Sequence, residues 1–200
     1  MARKMIGTFV LAAVVAAAGL LRADATAPAA KIGHPAPPFT LNDQNGKPVS
    51  LSAYAGKIVV LTWINHECPY VQRHLKAQTF QNLADKYKGK NVVWLAIDST
   101  NWHDQADNLK TVQDNKLPFP VLNDASGTVG HEYDAKTTPE EYIINTDGAL
   151  AYMGGIDNDQ QGDKGAARVN YVDKALTELL SGKSVSVSES KSYGCSVKYK

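Results

Sequence analysis

The residue best placed to do chemistry in this chain is Cys68. It stands where an apolar, strand-like run, Ile58-Val59-Val60-Leu61-Thr62-Trp63, passes through Ile64-Asn65-His66-Glu67 into a helix-like run beginning at Pro69. A thiol at a helix N-terminus meets unpaired backbone N–H groups and the positive end of the helix dipole, and both favour the nucleophilic thiolate. Pro69 suits the first helical position, where no N–H is needed and the fixed φ is already helical. Cys68 therefore reads as an N-cap or first-turn nucleophile. The competing reading of the same residue is a small buried hydrophobe, or half of a structural bridge.

Other groups near Cys68 in sequence could assist it. His66 and His74 are imidazoles able to stabilise a thiolate or shuttle a proton, although His74 could equally serve packing between helix and sheet. Glu67 opposes thiolate formation by like charge but can accept a proton. Cys68, His66 and His74 are also of the ligand types that suit copper or zinc. We nevertheless expect no bound metal and no cofactor. Neither a glycine-rich phosphate loop nor a serine nucleophile elbow occurs, which argues against nucleotide chemistry and ordinary hydrolysis.

The 200-residue chain is long enough for one domain with a real core. Its N-terminus differs from the rest: Arg3 and Lys4 precede an uncharged apolar stretch from Met5 to Leu21, and Ala23-Asp24-Ala25 follows with the small-residue spacing of a signal-peptidase site. Residues 1–25 are expected to be a signal peptide cut after Ala25; the alternative is an uncleaved membrane anchor. Removing them takes the 21 basic and 20 acidic residues to 18 and 19. No basic surface remains to suggest nucleic acid. Export to a periplasmic or otherwise extracytoplasmic compartment makes the two cysteines, Cys68 and Cys195, meaningful as a pair, because disulfides persist there.

Positioning elements can be read along the rest of the chain. Ala- and Pro-rich residues 26–38 read as a linker, and 39–183 as the domain. Phe39-Thr40-Leu41 and Pro48-Val49-Ser50-Leu51 flank an Asn-Gly turn and predict a hairpin. The runs 57–63 and 91–97 read as buried central strands. A helix is expected from Pro69 to Tyr87, on the spacing of Val71, Leu75, Phe80, Leu83 and Tyr87, and another from Trp102 to Asn115. A short strand at 119–122, a helix at 126–133, a hairpin about Asn145-Thr146-Asp147-Gly148 and a helix at 166–181 complete the domain. Alternating strands and helices give an α/β fold, with a mixed central sheet, helices on both faces and an N-terminal β-hairpin. Serine-rich residues 184–200, which carry Cys195, read as a flexible C-terminal arm.

Strand, cysteine at a helix start, helix, strand, helix and then Thr138-Pro139 ahead of a hairpin resembles the thioredoxin fold. Ile32-Gly33-x-Pro35-Ala36-Pro37-x-Phe39-x-Leu41, followed by Gly46-Lys47-x-Val49-x-Leu51, is similar to the redoxin (AhpC/TSA) branch of that superfamily. Trp63-x-Asn65-x-x-Cys68-Pro69-Tyr70-Val71-x-x-His74, with Gly194-Cys195 near the end, resembles an exported peroxiredoxin-like subgroup of it. The likeness implies a thiol oxidoreductase with Cys68 as nucleophile, a cis-proline at Pro139 presenting the Thr138 backbone beside it, and Cys195 as the resolving cysteine. It also implies an external dithiol reductant and either a peroxide or a protein disulfide as substrate. The chain departs from the family twice: no Cys-x-x-Cys dithiol is present, and Asn65 stands where peroxiredoxins carry Thr or Ser. Asn65 could donate a hydrogen bond in its place. The other reading is a non-catalytic module whose Cys68–Cys195 bridge is permanent.

Overall fold

The structure, a computed structural model, describes residues 29–200. The expected signal peptide and its cleavage point lie outside the described residues. Nine strands and five α-helices follow in chain order: β1 (Thr40–Asp43), β2 (Pro48–Ser50), β3 (Ile58–Trp63), α1 (Pro69–Lys76), α2 (Thr79–Tyr87), β4 (Val92–Asp98), α3 (Gln105–Asn115), β5 (Val121–Asn123), α4 (Thr128–Glu132), β6 (Thr137–Thr138), β7 (Glu140–Ile144), β8 (Leu150–Gly154), α5 (Tyr171–Leu180) and β9 (Cys195–Ser196).

Seven strands form one sheet in the order β2-β1-β5-β4-β3-β7-β8. The three crossover strands β3, β4 and β5 are parallel, while the hairpin strands at either side are antiparallel. β3 lies inside the sheet between β4 and β7, and all six of its residues are buried. That is why its sequence shows no polar alternation. Its alternate side chains separate the core into two layers. Ile58 and Val60 point to the side of α1, α2 and α5 with Val71, Phe80 and Leu176; Val59, Leu61 and Trp63 point to the opposite side with Val129 and Tyr133 of the α4 region. Each such aliphatic side chain contributes about 1.5–3 kcal/mol by burial, so the end of β3, where the site begins, is a firmly held point. The thioredoxin-like α/β architecture expected from the sequence is the one observed.

Four differences from the sequence reading have physical causes. The helix expected over 69–87 is two helices, broken at Gln78, whose φ of 53° is left-handed. The five-residue step from Leu75 to Phe80 falls out of the 3.6-residue period there, so two helices keep both apolar faces on the sheet. The helix read from Trp102 begins instead at Gln105, because Asp104 and Asp107 form a reciprocal capping box. Of the presumed linker, residues 30–36 are not free: Gly33 N–H donates to Leu150 O, Leu150 N–H to His34 O and Ala36 N–H to Gly148 O, alongside the β7–β8 turn. The C-terminal segment, expected to be a flexible arm, is seated along its length. Met153 N–H donates to Ser188 O, Tyr193 is buried, Thr138 pairs with Cys195 and Thr137 with Ser196 through the β6–β9 ladder, and Tyr199 covers α4. Single aromatic rings and backbone bonds anchor it in place of a periodic apolar face.

Candidate active site

Cys68 is the N-cap of α1, with extended backbone (φ −72°, ψ 123°) and Pro69 following at the first helical position. The loop before it is closed locally. Asn65 Oδ1 accepts the Glu67 N–H at 2.7 Å, and Asn65 O accepts the Cys68 N–H at 3.0 Å. The Asn65 carbonyl groups thus shape the turn that points Cys68 inward, where it is only 2% exposed.

The Thr138–Pro139 bond is cis. The Thr138 carbonyl oxygen lies 3.0 Å from Cys68 Sγ, and the Cys195 Sγ lies 2.6 Å from it. Both cysteines are free thiols in this structure. Cys195 is brought there by β9, which pairs antiparallel with β6 so that Cys195 sits opposite Thr138. The approach needs Gly194: its φ is 136°, and a Cβ at that position would overlap the Thr138 carbonyl. Residues far apart in the chain therefore meet because a two-residue ladder fixes their register.

The two thiols are inequivalent. Burial pushes the Cys68 thiol up, but hydrogen bonds from the Cys195 side chain and the Val71 backbone N–H outweigh it, and the net shift is downward from 9.0. Burial, the hydrogen bond given to Cys68 and the charge on that sulfur push Cys195 up to about 11. Ionisation is therefore favoured at Cys68 over Cys195.

His74 is buried on α1, with Nε2 3.0 Å from the Tyr193 hydroxyl and Nδ1 3.3 Å from Thr79 Oγ1. Burial is the main cause of a His74 pKa lowered to about 4, with Asp157 only partly opposing it. Tyr193 donates to Asp157 Oδ1 at 2.5 Å, so His74 Nε2 carries the proton between the two rings and His74 holds the residue two before Cys195. Trp63 is fully buried among Tyr133 and Tyr142, with Nε1 donating to Ser99 Oγ at 3.1 Å. Glu67 is exposed and His66 half-buried.

The sequence reading missed His103. It follows β4, stacks on His66 with ring centroids 4.2 Å apart, and places Nδ1 2.7 Å from Asp98 Oδ2. A signal was present: in a parallel sheet, residues just beyond strand C-termini are where sites assemble, and His103 follows β4 as His66 follows β3.

A thioredoxin-like sheet with a cysteine at the head of the helix after its central strand, and a cis-proline opposite, defines a class of thiol-dependent redox proteins. The AhpC/TSA family matches residues 32–153, and the chain belongs to that family, within the redoxin branch of the thioredoxin superfamily. It is similar to a chloroplastic peroxiredoxin Q of Sedum lineare, 31% identical over 74% of this chain and 77% of the relative. It is also similar to the thiol-disulfide oxidoreductase ResA of Bacillus thuringiensis, 30% identical over 60% of this chain and 67% of the relative. An uncharacterized conserved protein from Geobacillus kaustophilus has the same fold, with a TM-score of 0.76 and 30% identity over 85% of this chain and 93% of that one. The protein is accordingly an enzyme of the thiol oxidoreductase and peroxidase-like kind.

Proposed function

We propose that the protein is an exported two-cysteine peroxidase in which Cys68 is oxidised and Cys195 resolves it. The Cys68 thiolate attacks the terminal oxygen of a hydroperoxide; the O–O bond breaks, Cys68 becomes a sulfenic acid and an alcohol or water leaves after taking up a proton. The Cys195 thiol then attacks the sulfenic sulfur, an S–S bond forms and water leaves. An external dithiol reduces the disulfide by exchange and is itself oxidised.

The observation that carries this reading is Cys195 Sγ at 2.6 Å from Cys68 Sγ, on a strand registered against Thr138. The same pairing favours a peroxide over a protein disulfide. The Thr138 backbone, which a partner peptide would pair with, already pairs with the chain's own Cys195. A small oxidant needs far less displacement of β9 than a protein does. His74 and Tyr193 hold the segment before Cys195, and Asn65 shapes the turn before Cys68, as site-supporting residues; Thr138 and Pro139 form the opposite wall.

Intact mass after a stoichiometric peroxide pulse tests the reading. The expected product is an intramolecular disulfide about two mass units lighter than the dithiol. Cys195→Ser should instead accumulate a dimedone-reactive sulfenic acid at Cys68 and lose turnover with a dithiol reductant. Full turnover by that variant would replace the scheme with a one-cysteine mechanism. A wild-type bridge that forms but resists glutathione exchange would point to the permanent clamp.

A further inference from the structure

A second cluster sits on the loop that carries Cys68, and the redox scheme makes no use of it. His66, Glu67 and His103 each offer a ligand atom, and these atoms lie within 4.8 Å of one another. His103 comes from the connection between β4 and α3, so the cluster spans two loops at the C-terminal ends of adjacent parallel strands.

The state of His103 is the informative point. Its side chain is 3% exposed. Nδ1 lies 2.7 Å from Asp98 Oδ2, and Asp98 is itself buried, with Oδ1 accepting the Thr100 N–H at 2.9 Å. This contact fixes the ring in the carboxylate–imidazole arrangement that orients metal-binding histidines. Nε2 then faces His66 and Glu67 and makes no hydrogen bond; the nearest charged atom, Glu67 Oε2, is 3.7 Å away. The buried Nδ1 of His66 likewise has no partner. Two buried imidazole nitrogens without partners, beside a carboxylate, are groups a cation would satisfy.

We propose that His66, Glu67 and His103 bind a borderline divalent transition metal of the Zn²⁺ class, with Asp98 as the residue that positions His103. Two imidazoles and one carboxylate match the donor set of a three-ligand zinc site whose remaining position takes water. Magnesium and calcium call for all-oxygen sites, and copper(I) for sulfur ligands. The stacked rings, 21° from parallel, require His66 to swing about its Cβ before both nitrogens can meet one ion, and its half-buried position on a loop leaves it room to do so. The bound metal would tie the turn leading into Cys68 to the β4–α3 connection. The cysteines are not among the ligands, so the site stands or falls independently of the redox scheme.

Calorimetric titration of the tag-free chain carrying Cys68→Ser and Cys195→Ser with Zn²⁺, and absorption spectra with Co²⁺, test it without any thiol ligand. The expected result is one saturable equivalent and visible d–d bands of a low-coordinate cobalt centre. His66→Asn, Glu67→Gln and His103→Asn should each weaken binding at least about tenfold, and Asp98→Asn by about 10–100-fold. Because His103 and Asp98 are buried and their variants can fail to fold, the His66 and Glu67 variants carry the test by themselves. Absence of saturable binding, or binding indifferent to His66 and Glu67, would overturn the proposal and leave His103 as an imidazolium held between Asp98 and Glu67.

Discussion

Cys68 and Cys195 meet at one point, but the parts of the molecule that carry them are held by different means. Cys68 heads the helix that follows β3, a strand whose six residues are all buried and which is paired through six positions to β4 and five to β7. Cys195 lies on a ladder of two residue pairs, supported by separate contacts on either side: the Tyr193 hydroxyl on Asp157, Val197 N–H on Lys136 O, and Asn101 on the Lys198 carbonyl. A continuous sheet opens only when the domain unfolds, whereas discrete contacts can open one region at a time. In the proposed redox cycle the sheet would keep Cys68 in place, and the C-terminal strap is the part expected to lift when oxidant or reductant needs access.

The sharpest way to break this comparison is at the seam between the two parts. In Gly194→Ala the added Cβ overlaps the Thr138 carbonyl, and the φ of 136° is one that an L side chain rarely adopts. Backbone must move, and the weaker part is the strap. Peroxide-driven disulfide formation should slow by at least about tenfold, while sulfenic acid formation at Cys68 is retained. The stopped-flow rate of disulfide formation, with dimedone trapping alongside, measures this. An unchanged disulfide rate would mean that the sheet side yields instead, and the contrast between the two parts would fail.

How much of each part was legible in the sequence follows the same division. Strands β3 and β4 announce themselves as unbroken apolar runs, and the hairpins as Asn-Gly and Asp-Gly turns, because sheets and turns are specified by neighbouring residues. Cys68 was legible for the same reason: strand, cysteine and proline are consecutive. The strap was misread because its anchors are sparse. Tyr193 and Tyr199 sit among serines and lysines, and nothing local says that Tyr199 will cover Gly130, where a side chain would collide with its ring. His103 was overlooked since its partners His66 and Asp98 come together only after β3 and β4 pair in parallel. The cap that shifts the helix start past His103, Asp104 with Asp107, was in plain sight as an Asp-x-x-Asp spacing.

The sheet side makes its own prediction, in pH dependence. Glu141 on β7 is fully buried; burial raises its pKa to about 8 against the lowering effect of the Thr62 hydroxyl, which donates to Oε2 at 2.6 Å. A carboxyl whose folded pKa is above its unfolded value binds more protons when folded, so stability falls as pH rises from 4.5 towards 8. His74 acts in the other direction: its folded pKa of about 4 lies below 6.5, so its contribution is complete above pH 6.5 and is lost as pH falls towards 4. The two oppose each other at acid pH, and above 6.5 the His74 contribution no longer changes. At about 1.4 kcal/mol per pH unit, the full Glu141 effect is on the order of 5 kcal/mol. Glu141→Gln should flatten the decline, and be the more stable protein at about pH 9. Parallel stability curves for the two proteins in denaturant would show that Glu141 is not protonated in the folded state.

The smallest expected effect tests the strap alone. Tyr193→Phe removes one hydroxyl, which donates to Asp157 at 2.5 Å and accepts from His74 at 3.0 Å. Asp157 Oδ1 still accepts the Asp159 N–H at 2.8 Å, so the lasting cost is a buried His74 N–H without an acceptor, about 1–3 kcal/mol. In a region that opens by itself, that energy appears first in the local opening and only partly in the global transition. The native-state rate of Cys195 alkylation should therefore rise about tenfold, the change that about 1.4 kcal/mol brings, while the urea midpoint moves little. The measurement is the pair of values, alkylation rate and midpoint, for wild type and variant under the same reducing conditions. If the midpoint falls and the alkylation rate stays fixed, the segment around Cys195 opens only with the whole domain. Access to the thiols would then have to come from the Cys68 loop, with its half-buried His66 and exposed Glu67 as the moving part.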